Sequence, residues 1–433
     1  MTFAPLRGMR DYPPPEAGAR SALRARMRAA ARRCGFVELE APCIESLELY
    51  RVKSGEEIAQ QVWAFRDKGG RDVALAPEST PSLVRVFIDR AKAEPLPVKW
   101  FTVGKLWRYE EPQAGRTREF LQVNLDILGV EGIAAEGEIL ASAAHLLDEV
   151  GAKGLYAFRV NDRALAQGLG AHWGVKDTAR FLRALDRFLK STPDAFAREL
   201  DAAGVTPEGR AELRDLLTRV GVGVAGSAAT AFLKDLEALD LPAPGPEGIA
   251  RLRSLLDLIP RLGLADRVVL DPTVVRGLAY YTSTVFEAYD LSGDHRALFG
   301  GGRYDHLIEL FGGPPTPACG LALGDQTLEL LLKAHGRWPE GEPPLDTYVI
   351  AVTPADVGDA VELVQALRSA GVGADYDLMT RSLSRQLKEA ARRRARRAIL
   401  IGPAERAKGV VVERDLTTGT QTERTRAQVL GPA

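Results

Sequence analysis

From Glu16 to about Arg33, alanine, leucine and arginine recur at helical spacing and Gly35 follows where such a helix would stop, so a glycine-terminated helix is predicted. Phe36-Val37-Glu38-Leu39-Glu40 then alternates apolar and acidic residues before Pro42, the pattern of a strand at a sheet edge. Further strands are predicted over 72–75, 98–103 and 120–128, with helices over 82–93 and 136–150. This mixture points to an α+β domain. From about Asp162 to Leu262 the texture changes to Leu/Ala/Arg periodicity, broken at Gly221-Val222-Gly223 and at Pro242-Ala243-Pro244-Gly245-Pro246, as a helical insertion would be. Strand patterns resume over 267–270 and 281–289, so the first domain closes after its insertion. Proline, glycine and glutamate crowd into 336–344, a linker composition. Beyond it, strands over 348–352, 374–377, 398–401 and 410–412 alternate with helices over 357–370 and 382–397. That alternation predicts a small α/β domain with a largely parallel sheet.

At roughly 150 residues per domain, 433 residues make two or three domains. The expected division is a domain over 1–335 with its insertion at about 162–262, a linker over 336–345, and a second domain over 346–433. Lys+Arg total 57 and Asp+Glu 58, so the formal charge is −1 and no role in coating polyanions or membranes follows from the total. Any nucleic-acid surface must be local. With 45% hydrophobic and 27% charged residues the chain is globular rather than disordered. No apolar run nears the roughly 20 residues that span a bilayer, so no membrane association is expected and a cytoplasmic location is. The Arg- and Ala-rich start also has a transit-peptide composition, but Tyr12-Pro13-Pro14-Pro15 and the amphipathic stretch after it read as structural. Cys34, Cys43 and Cys319 show no CxxC spacing and the histidines no HxxxH pair, which argues against a disulfide framework and against a protein-held metal.

Four segments are more polar or glycine-rich than a plain core needs. Pro77-Glu78-Ser79-Thr80-Pro81 offers a carboxylate and two hydroxyls after a strand, although Ser and Thr there serve equally as a helix N-cap. Trp107 to Gln122 reads as two strands around a Pro/Gly turn, with Arg108 and Glu110 on one face and Gln122 sharing a face with Asp126 on the return strand. Arg108 suits a bidentate phosphate contact; the alternative is a solvent-facing ladder of ion pairs. In Val274-Val275-Arg276-Gly277-Leu278-Ala279-Tyr280-Tyr281, either an arginine and paired tyrosines wall a pocket or Arg276 caps a loop while the tyrosines pack. Gly300-Gly301-Gly302-Arg303-Tyr304-Asp305 and Ala318 to Asp325 permit close backbone approach or ordinary turns, and neither is a GxxxxGK[ST] phosphate loop. In the last domain Arg381, Arg385, Lys388, Arg392, Arg393, Arg394, Arg396 and Arg397 lie along one predicted helix with only Glu389 opposing. Such a run is a solvated face or a phosphate-binding surface.

Taken in order, these segments resemble the histidyl-tRNA synthetases, a branch of the class II aminoacyl-tRNA synthetases. Gly35-Phe36 through Pro42 looks like motif 1, Trp107 to Gln122 like motif 2, and Gly320 to Leu328 stands where motif 3 should be. Arg276 to Tyr281 resembles the peptide particular to the histidine branch, and Tyr348 onward its anticodon-binding domain. The likeness spans nearly the whole chain. It departs from the family pattern at Thr327, in place of the motif 3 arginine, and at Leu121, in place of a common motif 2 histidine. Asp126 in place of a more usual glutamate looks archaeal or eukaryotic in style.

The resemblance implies an antiparallel catalytic sheet flanked by helices, a helical insertion, a small α/β anticodon-binding domain, and a homodimer built around motif 1. It implies ligation of L-histidine to tRNA(His) through histidyl-adenylate, with ATP and Mg²⁺ as co-substrates. Glu78 and Thr80, lined by Ser79, would hold the α-amino group; Gln122, Asp126, Tyr280 and Tyr281 would complete the histidine pocket. Arg108 and Arg276 would be catalytic, each touching histidine and ATP, with Glu110, Arg116 and Arg118 on the nucleotide. Gln113, Arg116, Arg392, Arg393 and Arg396 would face tRNA. Two rivals are a catalytically silent paralogue serving ATP phosphoribosyltransferase as a regulatory subunit and a tRNA sensor without catalysis. The first kind usually lacks the C-terminal domain present here.

Overall fold

The computed structural model describes residues 3–54, 61–188, 191–221, 223–276, 280–341 and 345–430. In it the first helix, α1 (Pro14–Arg33), starts slightly earlier than its periodicity suggests, because Pro14 and Pro15 occupy first-turn positions where no N–H donor is needed. It ends as predicted. Gly35 turns left-handed (φ 77°), and the N–H groups of Gly35 and Phe36 reach back to the carbonyls of Arg32 (3.0 Å) and Ala31 (3.1 Å). The chain forms two compact units, Met1–Pro13 with Ala19–Pro339 and Pro14–Gly18 with Glu340–Ala433.

In the first unit β1 (Val37–Glu38) is followed by β2 (Ile44–Ser46), α2 (Leu47–Ser54), β3 (Ala64–Arg66), β4 (Asp72–Leu75) and α3 (Thr80–Arg90). β5 (Val98–Trp107) and β6 (Glu119–Leu128) make a long antiparallel hairpin, followed by α4 (Ala134–Leu147) and β7 (Tyr156–Asp162). Helices α5 to α10 fill residues 163–258, after which come β8 (Val268–Leu270), β9 (Thr284–Asp290), β10 (Phe299–Arg303), α11 (Leu307–Leu310), β11 (Ala318–Gly324) and α12 (Asp325–Ala334). Eight strands form one sheet in the order β1-β5-β6-β11-β10-β9-β7-β8. Its inner pairings are antiparallel, and only the edge strands β1 and β8 pair in parallel. β2, β4 and β3 form a separate small sheet.

The two glycine-rich runs are central strands, β10 and β11, and not turns. A Cβ at Gly301 would lie 2.3 Å from the Phe286 ring, so these strands are kept free of side chains for what packs on them. On β6 the odd residues Leu121, Val123, Leu125 and Ile127 join a core with Leu23 and Met27 of α1 and Ile139 and Leu140 of α4. Leu83 and Phe87 of α3 lie in another core, with Trp100, Tyr281 and Tyr304. The helical segment between β7 and β8 is tied to the sheet at its first residue. The buried Asp162 caps α5 through the Ala164 N–H and takes a two-point bond from Arg251 at 2.8 and 2.9 Å. Of the predicted Gly221-Val222-Gly223 break, Val222 lies outside the described residues.

The second unit contains β12 (Thr347–Ala351), α13 (Val357–Ser369), β13 (Ala374–Tyr376), α14 (Leu383–Arg392), β14 (Arg397–Ile401), α15 (Pro403–Lys408), β15 (Val410–Asp415), β16 (Gln421–Thr425) and α16 (Arg426–Leu430). Its sheet runs β13-β12-β14-β15-β16. The expectation of a largely parallel sheet is corrected: β13, β12 and β14 are parallel, but β15 and β16 add two antiparallel ladders. β16 reads Gln-Thr-Glu-Arg-Thr and is exposed throughout, so its backbone pairing leaves no apolar alternation to detect. Residues 342–344 of the linker lie outside the described residues.

Candidate active site

Strand β6 has two buried faces of different character. Opposite its apolar odd residues, Gln122, Asn124 and Asp126 are buried as well. Gln122 Oε1, Asn124 Oδ1 and Asp126 Oδ2 have no hydrogen-bond donor among the described residues. Each such buried acceptor costs about 1–3 kcal/mol unless something meets it. Three on one strand face mark a surface made for a polar ligand. The register places Gly104 and Gly324 beside Gln122, and Gly320 beside Asp126. A Cβ at Gly320 would fall 2.4 Å from Asp126 Oδ1, so glycine there is what gives the carboxylate its room. Burial pushes the Asp126 carboxyl up to about 7, a rise limited by its bond from the Tyr304 hydroxyl and by the Lys53 charge.

Glu78 and Ser79 lie between β4 and α3, and Thr80 opens α3. Ser79 occupies the cap position in a helical conformation and makes no side-chain cap bond, while Thr80 is the first helical residue and is buried. Helix capping therefore does not account for these hydroxyls. The Glu78 carboxylate accepts a bond from Lys53 Nζ at 2.5 Å, and the same ammonium sits 3.9 Å from the centroid of the Tyr280 ring. Tyr280 and Tyr281 stack with centroids 4.5 Å apart, and Tyr304 meets them edge-on at 5.8 and 6.5 Å. Burial raises all three phenols above their ordinary pKa, so they stay protonated as donors. Gly277, Leu278 and Ala279 of this segment lie outside the described residues.

Arg276 adopts a left-handed backbone (φ 53°), uncommon for a residue with a Cβ. Its guanidinium lies flat over β10, where a Cβ at Gly300 would come within 2.1 Å, and it bonds the Glu287 carboxylate. Glu287 in turn accepts from Tyr289, whose ring carries Arg159 at 4.2 Å. Burial works against the charge on Arg276, and Glu287 more than offsets it, raising its pKa. Arg276 Nε is buried without an acceptor among the described residues. Its side chain crosses to the sheet, so loop capping does not describe it.

β5 stops at Trp107, so the face shared by Arg108 and Glu110 is not set by strand alternation. Arg108 Nε donates to the Pro77 carbonyl at 3.0 Å, which brings it beside Glu78, and its guanidinium lies over the Phe120 ring at 5.2 Å. The hairpin closes with a bridge between Gln113 and Arg116 around Gly115 (φ 74°). Arg116 pairs with Glu110 at 3.0 Å and is half exposed. Gln113 Oε1 accepts a long bond from Arg296 at 3.5 Å. Arg118 is buried: it donates to the carbonyls of Glu110 (3.0 Å) and Arg7 (3.4 Å) and stacks on Tyr109 at 4.2 Å. The N-terminal segment thus grips the hairpin from below. A Cβ at Gly115 would lie 3.4 Å from Thr327 Oγ1, so Thr327 on α12 faces this turn. Asp325 beside it accepts the Leu121 N–H at 3.0 Å and is paired with Arg20 of α1.

The basic stretch of the second unit differs from its prediction. α14 ends at Arg392, Arg394 turns left-handed (φ 52°), and Arg397 begins β14. Nor is Glu389 alone in opposing it. Arg381 pairs with Asp377 (2.5 Å), Arg392 with Glu389 (2.9 Å), Arg393 with Asp375 (3.0 Å), Arg396 with Asp346 (3.1 Å) and Arg397 with Glu413 (2.8 Å). Glu389 lies on α14 itself and Asp377 four residues before Arg381, whereas folding brings Asp375 of β13, Asp346 and Glu413 of β15 from elsewhere. The exposed Arg385 and Lys388 pair with no carboxylate among the described residues.

Lys53, Asn124 and Tyr304 are members of the site that the motifs did not single out for a role. Tyr304 follows the flagged triple glycine, a usable signal, whereas Lys53 ends an ordinary amphipathic helix and offers none. Among the described residues no group of three or more His, Cys, Asp and Glu side chains could hold a metal ion, and no helix is long and apolar enough to cross a membrane.

Comparison with known proteins identifies the family. A family model described as histidyl-tRNA synthetase matches residues 8–328, and one described as anticodon binding domain matches 346–431. The chain is 39% identical over 421 residues to a histidine–tRNA ligase of Halobacterium salinarum, covering 96% of this chain and 94% of that protein. It is 40% identical over 439 residues to a histidine–tRNA ligase of Opitutus terrae, covering 99% and 97%. The crystal structure of a histidyl-tRNA synthetase from Nostoc superimposes with a TM-score of 0.85 at 22% identity, over 98% of this chain and 97% of that one, a likeness of fold.

Proposed function

The chain belongs to the histidyl-tRNA synthetase family and is a histidine–tRNA ligase, and from that premise we propose how its residues carry the reaction. The observation that carries the reading is the buried face of β6, where unmet polar atoms of Gln122 and Asp126 lie beside Tyr304 and the Tyr280–Tyr281 pair. Ionised Asp126 and Gln122 bind the imidazole, with Tyr280 and Tyr281 around it. A buried pocket of this kind rejects amino acids lacking matching donors by about 10⁴–10⁵. Glu78 and Thr80 take the α-ammonium, and Ser79 lines that wall.

ATP enters with its own Mg²⁺, which needs few protein ligands when phosphate oxygens supply the rest. Arg108, next to Glu78 through the Pro77 carbonyl, spans the histidine carboxylate and the α-phosphate. Arg276 approaches from the β10 side. When the carboxylate attacks the α-phosphorus, charge builds on the phosphoryl oxygens, and two fixed guanidiniums stabilise it without reorganising. Pyrophosphate leaves, and the tRNA 3′ hydroxyl then takes histidine from the adenylate. Glu110 and Arg116 border the nucleotide from the hairpin, with Arg118 locked beneath them; Gln113 and Arg116 extend toward the acceptor end. Thr327, facing Gly115, occupies the place of the family's motif 3 arginine.

Residues 1–335 form the catalytic domain with its insertion at 162–262, 336–345 the linker, and 346–433 the anticodon-binding domain, whose Arg392, Arg393 and Arg396 face tRNA(His). A cytoplasmic homodimer through the catalytic domain completes the reading. Its support is the two-residue edge strand β1, which leaves Val37 64% exposed. A silent regulatory paralogue is disfavoured by the full-length likeness to the ligases. Histidine-dependent ATP–pyrophosphate exchange by the purified chain, with Mg²⁺, is the expected activity, and folded protein with no exchange above background overturns the assignment.

A further inference from the structure

The side chain of Lys53, in the last turn of α2, is only 1% exposed. Lysine is almost never buried so completely unless paired. Its ammonium holds Glu78 Oε2 at 2.5 Å and stands over the Tyr280 ring at 3.9 Å. Its charge also favours the ionised form of Asp126. Glu78, Tyr280 and Asp126 come from three distant parts of the sequence, and each belongs to the proposed histidine pocket. One buried cation serves all three.

Resting on the assignment of Glu78 to the α-ammonium, we propose that Lys53 is a positioning residue of the histidine pocket: it fixes the Glu78 carboxylate through Oε2 and steadies the Tyr280 ring, leaving Oε1 for the substrate. Among the described residues no donor bonds Glu78 Oε1. A carboxylate already held in one rotamer has less freedom to lose when substrate arrives, and binding is tighter by that saving. The ammonium–ring contact orients Tyr280 in the same way. Without Lys53, Glu78 is a partly buried anion without its counter-charge, and it turns toward solvent. That change weakens its hold on an ammonium. No part of this arrangement involves ATP.

The test uses the full-length chain in histidine-dependent ATP–pyrophosphate exchange. Lys53→Met is expected to raise the KM for histidine by about 30-fold or more, as when one partner of a buried charge pair is lost, and to leave the KM for ATP unchanged. Lys53→Arg, which keeps the charge, recovers most of the loss. Because Lys53 acts through Glu78, Lys53→Met adds little once Glu78→Gln is present. An unchanged histidine KM in Lys53→Met, a parallel rise in both KM values, or additive losses in the double variant overturns the proposal. If Lys53→Met does not fold, Lys53→Gln carries the same reading. Failure of the underlying assignment looks different: Glu78→Gln would then leave the histidine KM unaltered in an unmodified Lys53 background.

Discussion

At Arg276 a strained backbone and a glycine partner place a guanidinium over the sheet, and Glu287 keeps it charged and oriented. Its interaction strengthens as phosphoryl charge develops, so Arg276→Ala should lower kcat by about 10²–10³-fold while shifting the histidine KM far less. Steady-state exchange kinetics decide this, and equal losses in kcat and affinity would argue against a transition-state role. Asp126 supplies a pH dependence. Its folded pKa, about 7, lies above the ordinary carboxyl value, so the folded state holds its proton longer than the unfolded chain does. Between the two values stability falls as pH rises, and binding needs the ionised form, so the histidine KM should rise as pH drops through about 7. Asp126→Asn should weaken histidine binding and leave only the substrate's own titration in that profile. It should also raise the melting temperature relative to the parent more at pH 8 than at pH 5. An unchanged KM profile in this variant would remove Asp126 from the imidazole site. The sequence motifs already contained Glu78, Gln122, Asp126, Arg276 and the tyrosines. Lys53 was hidden, because a lysine at the end of an amphipathic helix looks the same whether it is solvated or buried.

β6 is the element on which the site depends, and its two faces were readable as a period-two pattern once the strand was known to run unbroken over Glu119–Leu128. The glycine strands β10 and β11 were not readable in that way. Glycine carries no burial signal, and the reason for it at Gly300 and Gly320 is the Arg276 guanidinium and the Asp126 carboxylate, which belong to other elements. The basic stretch teaches the opposite lesson: a run of positive charge with a single acid inside it is largely paired by acids that lie outside the run. Replacing Arg392, Arg393 and Arg396 together by alanine should weaken tRNA binding. It should lower the slope of log K against log salt by less than the roughly 2–3 expected for three free phosphate contacts, since each arginine must first leave a carboxylate. A filter-binding titration at several salt concentrations measures it, and an unchanged slope would return this stretch to a solvated face.

On the scale of the whole chain, the two units have separate hydrophobic cores, one set in the catalytic sheet and another built on Val349, Leu363, Val364 and Ile399. Ending the chain at Pro339 should therefore leave histidine-dependent pyrophosphate exchange within a few-fold of the full chain and reduce tRNA charging by at least an order of magnitude. Loss of exchange in a folded truncation would mean that the second unit supports the chemistry as well. The sequence by itself determined the periodic helices and strands, the motif identities and hence the family, because helix and strand periods and short motifs are local properties of neighbouring residues. The strand order, the glycine clearances, the acids facing the basic stretch and the Lys53–Glu78–Tyr280 cluster were decided only in the tertiary structure. They join residues such as Lys53, Asp126 and Tyr280 that are far apart along the chain, and no local period encodes which distant side chains a folded sheet will bring within hydrogen-bonding reach.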